Sequence, residues 1–149
     1  ADVVETGGHG KVAWYSKDVI QWPGGHVECI MIASDHAIKN KTRALEEVIF
    51  YLHKAGREID AARREGGKAF QEIANQIHTH YIPMHTVEAI MQSLRPDLNV
   101  INYSNLNVDK PGLRIIMELA VESGVLKEAI NIEQFADEQF DTEITKTSD

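Results

Sequence analysis

The sequence predicts an α/β chain in which two short strands precede four helices and a tail. Residues 11–15 (KVAWY) and 26–33 (HVECIMIA) are rich in the β-prone and apolar residues of strands. From residue 42 onward, apolar residues recur every three or four positions, which is the spacing of one helix face. Two strands alone form a sheet of marginal stability. We therefore interpret the chain as the later, helix-rich part of a larger α/β protein with few strands of its own.

Both strands follow glycine-containing turns. The first is preceded by residues 7–10 (GGHG), and Trp22-Pro23-Gly24-Gly25 forms the turn before the second. The second strand, His26–Ala33, is almost continuously apolar, as expected of a strand that is covered on both faces. Cys29 within it is expected to be a buried, small apolar residue.

Capping residues and helix breakers delimit the helices. Ser34 or Asp35 caps a short turn through Lys39, and a long helix runs from Thr42 to about Glu65 until Gly66-Gly67 stops it. Three further features set the later boundaries: Pro83, which ends a helix at 68–81 and starts the next one, which stops before Pro96; Asp109, which caps a helix that ends at Gly124; and Asn131, which caps a short helix containing Phe135. Residues 99–107 are polar and rich in Asn, so we predict a loop there.

Composition and charge exclude several classes of protein. The 149 residues are 43% hydrophobic, which is too apolar for a disordered chain, and no run is long enough to cross a bilayer. The net charge is −8, which disfavours nucleic acid as a partner because phosphate binding needs Lys and Arg. Six acids and one lysine lie between Glu133 and Asp149, and we interpret this region as a solvated acidic tail.

No catalytic or metal-binding motif stands out. His78 and His80 are two residues apart on a predicted helix, so they point to nearly opposite faces and cannot hold one ion together. The chain has one cysteine, no GxSxG motif and no P-loop, and His26 lies three residues from Cys29, which places the two on opposite faces of a strand. We predict that the chain is not an enzyme and needs no cofactor.

The turn that leads into the second strand is the strongest candidate for a binding site. It carries Trp22 and His26, and Glu28 follows within the strand. Strand ends of this kind line the ligand crevices of open α/β sheets. The alternative is that Trp22 packs at a sheet edge and Glu28 is only exposed.

Two long stretches resemble one family. The run from Gly10 to Lys39 (GKVAWYSKDVIQWPGGHVECIMIASDHAIK) resembles the turn, strand and helix start of ABC-importer solute-binding proteins. The relevant group is the nitrate, sulfonate, taurine, bicarbonate and thiamine-pyrimidine group. The run from Val100 to Phe140 (VINYSNLNVDKPGLRIIMELAVESGVLKEAINIEQFADEQF) resembles its closing loop, helix and short turn, and residues 41–94 carry its three-helix pattern.

The resemblance implies a fold and a division of the chain. Members of the group have the type 2 periplasmic-binding-protein fold, in which two α/β lobes close over a small molecule. This chain would supply its C-terminal portion: residues 1–26 as the end of the second lobe, residues 27–34 as a crossing strand, and residues 35–149 as the helical return to the first lobe with the acidic tail. Much of the cleft would then lie on another segment.

The resemblance also implies a function and its partners. It implies capture of a small solute, either a nitrate, sulfonate or taurine-type anion or a pyrimidine-like heterocycle. It also implies a permease in the membrane, a periplasmic or extracellular location, and a companion N-terminal segment or a homo-oligomer. By position, the cleft residues would be Trp22, His26 and Glu28. The Glu28 carboxylate would repel nitrate or sulfonate and favour a nitrogenous heterocycle with N–H donors. Two alternatives are an enzyme of thiamine-pyrimidine synthesis on the same scaffold and a freestanding interaction or sensory module.

Overall fold

A computed structural model describes residues 2–23, 27, 29–98 and 102–142. This part of the chain is helix-rich, as predicted, with 58% of its residues in helices. The helices are α1 (Asp2–Thr6), α2 (Ser16–Val19), α3 (Asp35–Asn40), α4 (Thr42–Glu65), α5 (Gly67–His80), α6 (Val87–Leu94), α7 (Lys110–Glu122) and α8 (Ile132–Phe135). Most predicted helices occur within two residues of their predicted bounds. The exception is α6, which was predicted to start at Pro83 but begins at Val87, because the Thr86 side chain caps it. The short helices α1 and α2 were not predicted.

The two predicted strands are not found in the described residues. Lys11–Tyr15 has no regular secondary structure, so the prediction of a strand there is wrong. In the second run, residue 27 and residues 29–33 form no strand either, and His26 lies outside the described residues. The physical reason is that β-prone side chains do not make a strand without a neighbour to complete its hydrogen bonds.

Local capping chemistry sets the helix boundaries. The side chains of Ser34, Thr86, Asp109 and Asn131 each accept a hydrogen bond from a backbone N–H in the first turn of the helix that follows. At the other end of α7, Gly124 has a φ of 76°, a left-handed conformation that glycine adopts without steric cost. These boundaries confirm the predictions from Asp109, Asn131 and Gly124.

The chain divides into two units, the first made of Ala1–Gln21 and Lys54–Ser104. Its core lies where α5 packs on α6, and α1 also contacts α6. Phe70 and Ala74 from α5 meet Ile90 and Leu94 from α6, and all four are buried. The helical spacing of the sequence places these four among the apolar residues of the two helix faces.

The second unit consists of Trp22–His53 and Asn105–Asp149. Helix α7 packs on α8, and Gly112, Ile132 and Ala136 are buried there. This unit contains α3, the first half of α4, and the segment that carries the predicted binding residues.

Some residues that helical spacing assigned to apolar faces are exposed. Val48 and Leu52 of α4 each keep about half of their surface exposed, and Tyr81 at the end of α5 is 77% exposed. Spacing identifies which residues share a face, but it does not show whether another element covers that face.

Candidate functional site

The structure describes one of the three predicted site residues. Trp22 is half-buried in the loop after α2, in the second unit. His26 and Glu28 lie outside the described residues, so their proximity to Trp22 remains a prediction. The half-buried indole leaves part of an aromatic surface open for contact with a planar ligand.

Val27 packs on α7. A Cβ atom placed on Gly112 would lie 2.6 Å from Val27 Cγ2, a distance that real Cβ contacts do not reach. Gly112 therefore allows Val27 to pack directly on the first turn of α7. The same turn is capped by Asp109, whose Oδ1 accepts a hydrogen bond from the Gly112 N–H at 3.0 Å. Val27 thus lies against the N-terminal turn of a capped helix.

Residues 29–32 are exposed, contrary to prediction. Cys29 is an exposed free thiol, so the expectation that it is buried is wrong. Ile30 and Met31 keep about half of their surface exposed, and Ile32 is 80% exposed. These residues were predicted to be covered on both faces, but the described residues provide no strand beside them. The result is an exposed apolar run next to the candidate site.

Sequence analysis missed a set of polar contacts between α7 and the acidic region. Lys110 Nζ lies 2.8 Å from Glu133 Oε2 and 2.6 Å from Glu138 Oε2, and Arg114 also pairs with Glu133. Asp141 Oδ1 accepts a hydrogen bond from the Val108 N–H at 3.0 Å. These three acids are exposed, as expected of an acidic tail, and each of them also has a partner in or next to α7. Residues 143–149 lie outside the described part of the chain.

These contacts shift two pKa values in opposite directions. The hydrogen bond from Lys110 lowers the pKa of Glu133, and Arg114 adds to the effect. The hydrogen bonds to Glu133 and Glu138 raise the pKa of Lys110. Both shifts favour the charged forms, so the groups act as an ion-pair cluster and not as proton donors or acceptors.

A second charged cluster lies in the first unit. The Arg63 side chain is almost fully buried, and its guanidinium lies 2.7 Å from Asp60 Oδ1 and stacks over the Tyr103 ring. Arg64 Nε contacts the other oxygen of Asp60 at 2.8 Å. Because both Asp60 oxygens and the Arg63 guanidinium have partners, the cluster fixes the Tyr103 loop against α4.

His78, which was considered as a metal ligand, has another hydrogen-bond partner. His78 Nδ1 donates a hydrogen bond to the backbone carbonyl of His85 at 2.7 Å, which braces the turn around Pro83. Within the described ranges, no group of three His, Cys, Asp or Glu side chains is placed to hold a metal ion.

Comparisons with known proteins give no assignment. No family model, curated protein or solved structure matches this chain. Among the helices that the structure describes, none combines the length and the apolar character that a membrane span requires.

Proposed function

We propose that this chain is the C-terminal portion of the solute-binding component of an ABC importer, which captures a small solute between two α/β lobes. The resemblance of residues 10–39 and 100–140 is the basis of this proposal. The order of the described helices is consistent with it. Helices α4, α5 and α6 are followed by an irregular loop, then by α7 and the short α8, which is the order that the resemblance implies.

The exposed run Ile30–Ile32 is the strongest structural support for the proposal. Three consecutive apolar residues in water, two of them β-branched isoleucines, are unfavourable unless something covers them. A crossing strand has this composition because its neighbouring strands cover it on both faces. We therefore propose that residues 27–34 become a strand when a companion segment supplies the neighbouring strands.

The proposed binding residues determine the class of solute. Trp22 provides an aromatic surface for a flat ligand, and His26 provides a hydrogen bond. Glu28 repels anions and accepts hydrogen bonds from N–H groups, so a nitrogenous heterocycle is preferred to nitrate or a sulfonate. The proposed partner in the membrane is an ABC permease.

The two tryptophans provide a matched test of this site. In the assembled protein, Trp22→Ala is expected to weaken binding of the thiamine pyrimidine about tenfold or more, which corresponds to about 1.4 kcal/mol. Trp14→Ala removes the same side chain from a position that is 65% exposed in the other unit, and is expected to leave the affinity unchanged. Isothermal titration calorimetry with the thiamine pyrimidine, taurine, nitrate and bicarbonate measures each affinity.

Three results would contradict the proposal or part of it. Equal affinities of the two variants would exclude Trp22 from the site. A large loss of thermal stability in Trp22→Ala without ligand would identify Trp22 as a packing residue. Recovery of the thiamine pyrimidine in a covalently altered form would favour the enzyme alternative.

A further inference from the structure

We propose that residues 131–142 form a strap that holds the N-terminal turn of α7 in place and, through Gly112, fixes the position of Val27. The inference rests on contacts within the second unit and is independent of whether the chain binds a solute. Its evidence is that the hydrogen bonds and ion pairs of the strap converge on one short stretch, residues 107–114.

The first attachment is made by the side-chain amide of Asn107. Its Nδ2 donates a hydrogen bond to the Thr142 carbonyl at 2.7 Å, and its Oδ1 accepts one from the Thr142 N–H at 3.1 Å. The amide thus satisfies both backbone groups of one residue, 35 positions away in the sequence. Two hydrogen bonds to one residue fix the direction of the chain at Thr142 as well as its distance from Asn107.

The second attachment is next to the first. Asp141 Oδ1 accepts a hydrogen bond from the Val108 N–H at 3.0 Å. Because the acceptor is a carboxylate, this hydrogen bond is stronger than one between neutral groups. Two consecutive residues of the strap therefore bind the two consecutive residues that lead into α7.

The third attachment is the ion-pair cluster on the first turns of α7. The Lys110 ammonium bridges Glu133 at the start of the strap and Glu138 in its middle, and it retains only 15% of its side-chain exposure. Arg114, one turn later, pairs with Glu133 as well. Beneath these pairs Ile132 and Ala136 are buried, so the strap has an apolar side as well as a charged one.

The link to Val27 is steric. Gly112 lies within the stretch that the strap holds, and Val27 Cγ2 occupies the space that a side chain at Gly112 would need. A shift of this turn therefore removes the surface on which Val27 packs. The strap therefore acts as a positioning device for Val27.

The test is methyl and amide NMR of the full chain with the double variant Asn107→Ala/Asp141→Ala. We expect a changed or broadened Val27 methyl signal and at least tenfold faster exchange of the Leu113 amide, which bonds the Asp109 carbonyl at 2.9 Å in the wild type. The control is Gln134→Ala, an exposed position within the strap that is expected to change neither signal.

Two further variants keep the result decisive. If the Ala74 amide in the α5 core also loses protection, the double variant has unfolded. Glu138→Gln is then used in its place, because this variant removes only one of the two carboxylates that pair with Lys110. The Cβ atom of Gly112→Ala would lie 2.6 Å from Val27 Cγ2 and 2.7 Å from Asp109 Oδ2, so this variant is expected to move both side chains while the Thr142 amide stays protected. Faster exchange confined to Val108 and Thr142, with Val27 and Leu113 unchanged, would overturn the proposal.

Discussion

At the scale of single residues, short-range chemistry determines where the helices begin and end. Asp109, Asn131 and Gly124 were predicted to be boundary residues and were confirmed, because a cap bonds to a backbone group only two or three positions away. Trp22, His26 and Glu28 are a different case. Their proximity depends on the path of the chain, which the identity of the residues does not determine.

Thr86 offers a direct test of the capping account. Its Oγ1 accepts a hydrogen bond from the Ala89 N–H at 3.1 Å at the start of α6, which carries half of the core of the first unit. Thr86→Ala is expected to lower the free energy of unfolding by about 1 kcal/mol, measured by urea denaturation. Thr79→Ala, at an exposed position in α5, is the matched control and is expected to change it by less than about 0.5 kcal/mol. Equal stabilities of the two variants would contradict the assigned cap.

At the scale of elements, helices were predicted well and strands were not. A helix completes its hydrogen bonds within one segment, so α4, α5 and α6 follow from the spacing of their own residues. A strand needs a neighbour, so residues 26–33 predict a strand only if another segment supplies one. The strap was missed for a related reason: Asn107 and Thr142 are 35 residues apart, and neither lies in a motif that indicates pairing.

The charges of the strap predict a pH dependence with two limits. Lys110 lowers the pKa of Glu133 below its ordinary value of 4.5. The stabilisation that Glu133 gives to the attachment of the strap is therefore complete above pH 4.5 and is lost as the pH falls through the lowered pKa. The pKa of Lys110 is raised above 10.5. The stabilisation that Lys110 gives to the same attachment is therefore complete below pH 10.5 and is lost as the pH rises through the raised pKa. The attachment is therefore expected to be strongest between these limits.

The Ile132 methyl signal, followed through a pH titration, measures this attachment locally. A local signal is needed because the pKa of Asp18 is also lowered, by its hydrogen bond with Lys17, and this pair would contribute to any global acid transition. Lys110→Gln is the matched variant and is expected to abolish the alkaline transition of Ile132. An unchanged alkaline transition in that variant would show that Lys110 does not hold the strap.

At the scale of the whole molecule, the exposed run Ile30–Ile32 is the main support for the proposal that the chain works with another segment. Ile32 is 80% exposed, and Val125 in the turn after α7 is 79% exposed. Ile32→Asp and Val125→Asp are therefore a matched pair, since each places a charge at an equally exposed apolar site. The crossing-strand proposal requires that only Ile32→Asp weakens assembly with a companion.

Native mass spectrometry of the purified protein tests whether the chain assembles with a companion polypeptide. We expect an assembly heavier than the 16.7 kDa chain, containing a second polypeptide and a small retained mass that identifies the solute. We also expect that Ile32→Asp lowers the fraction in this assembly and that Val125→Asp does not. A monomer or homo-oligomer of the 16.7 kDa chain without a companion would contradict the account and favour a freestanding module.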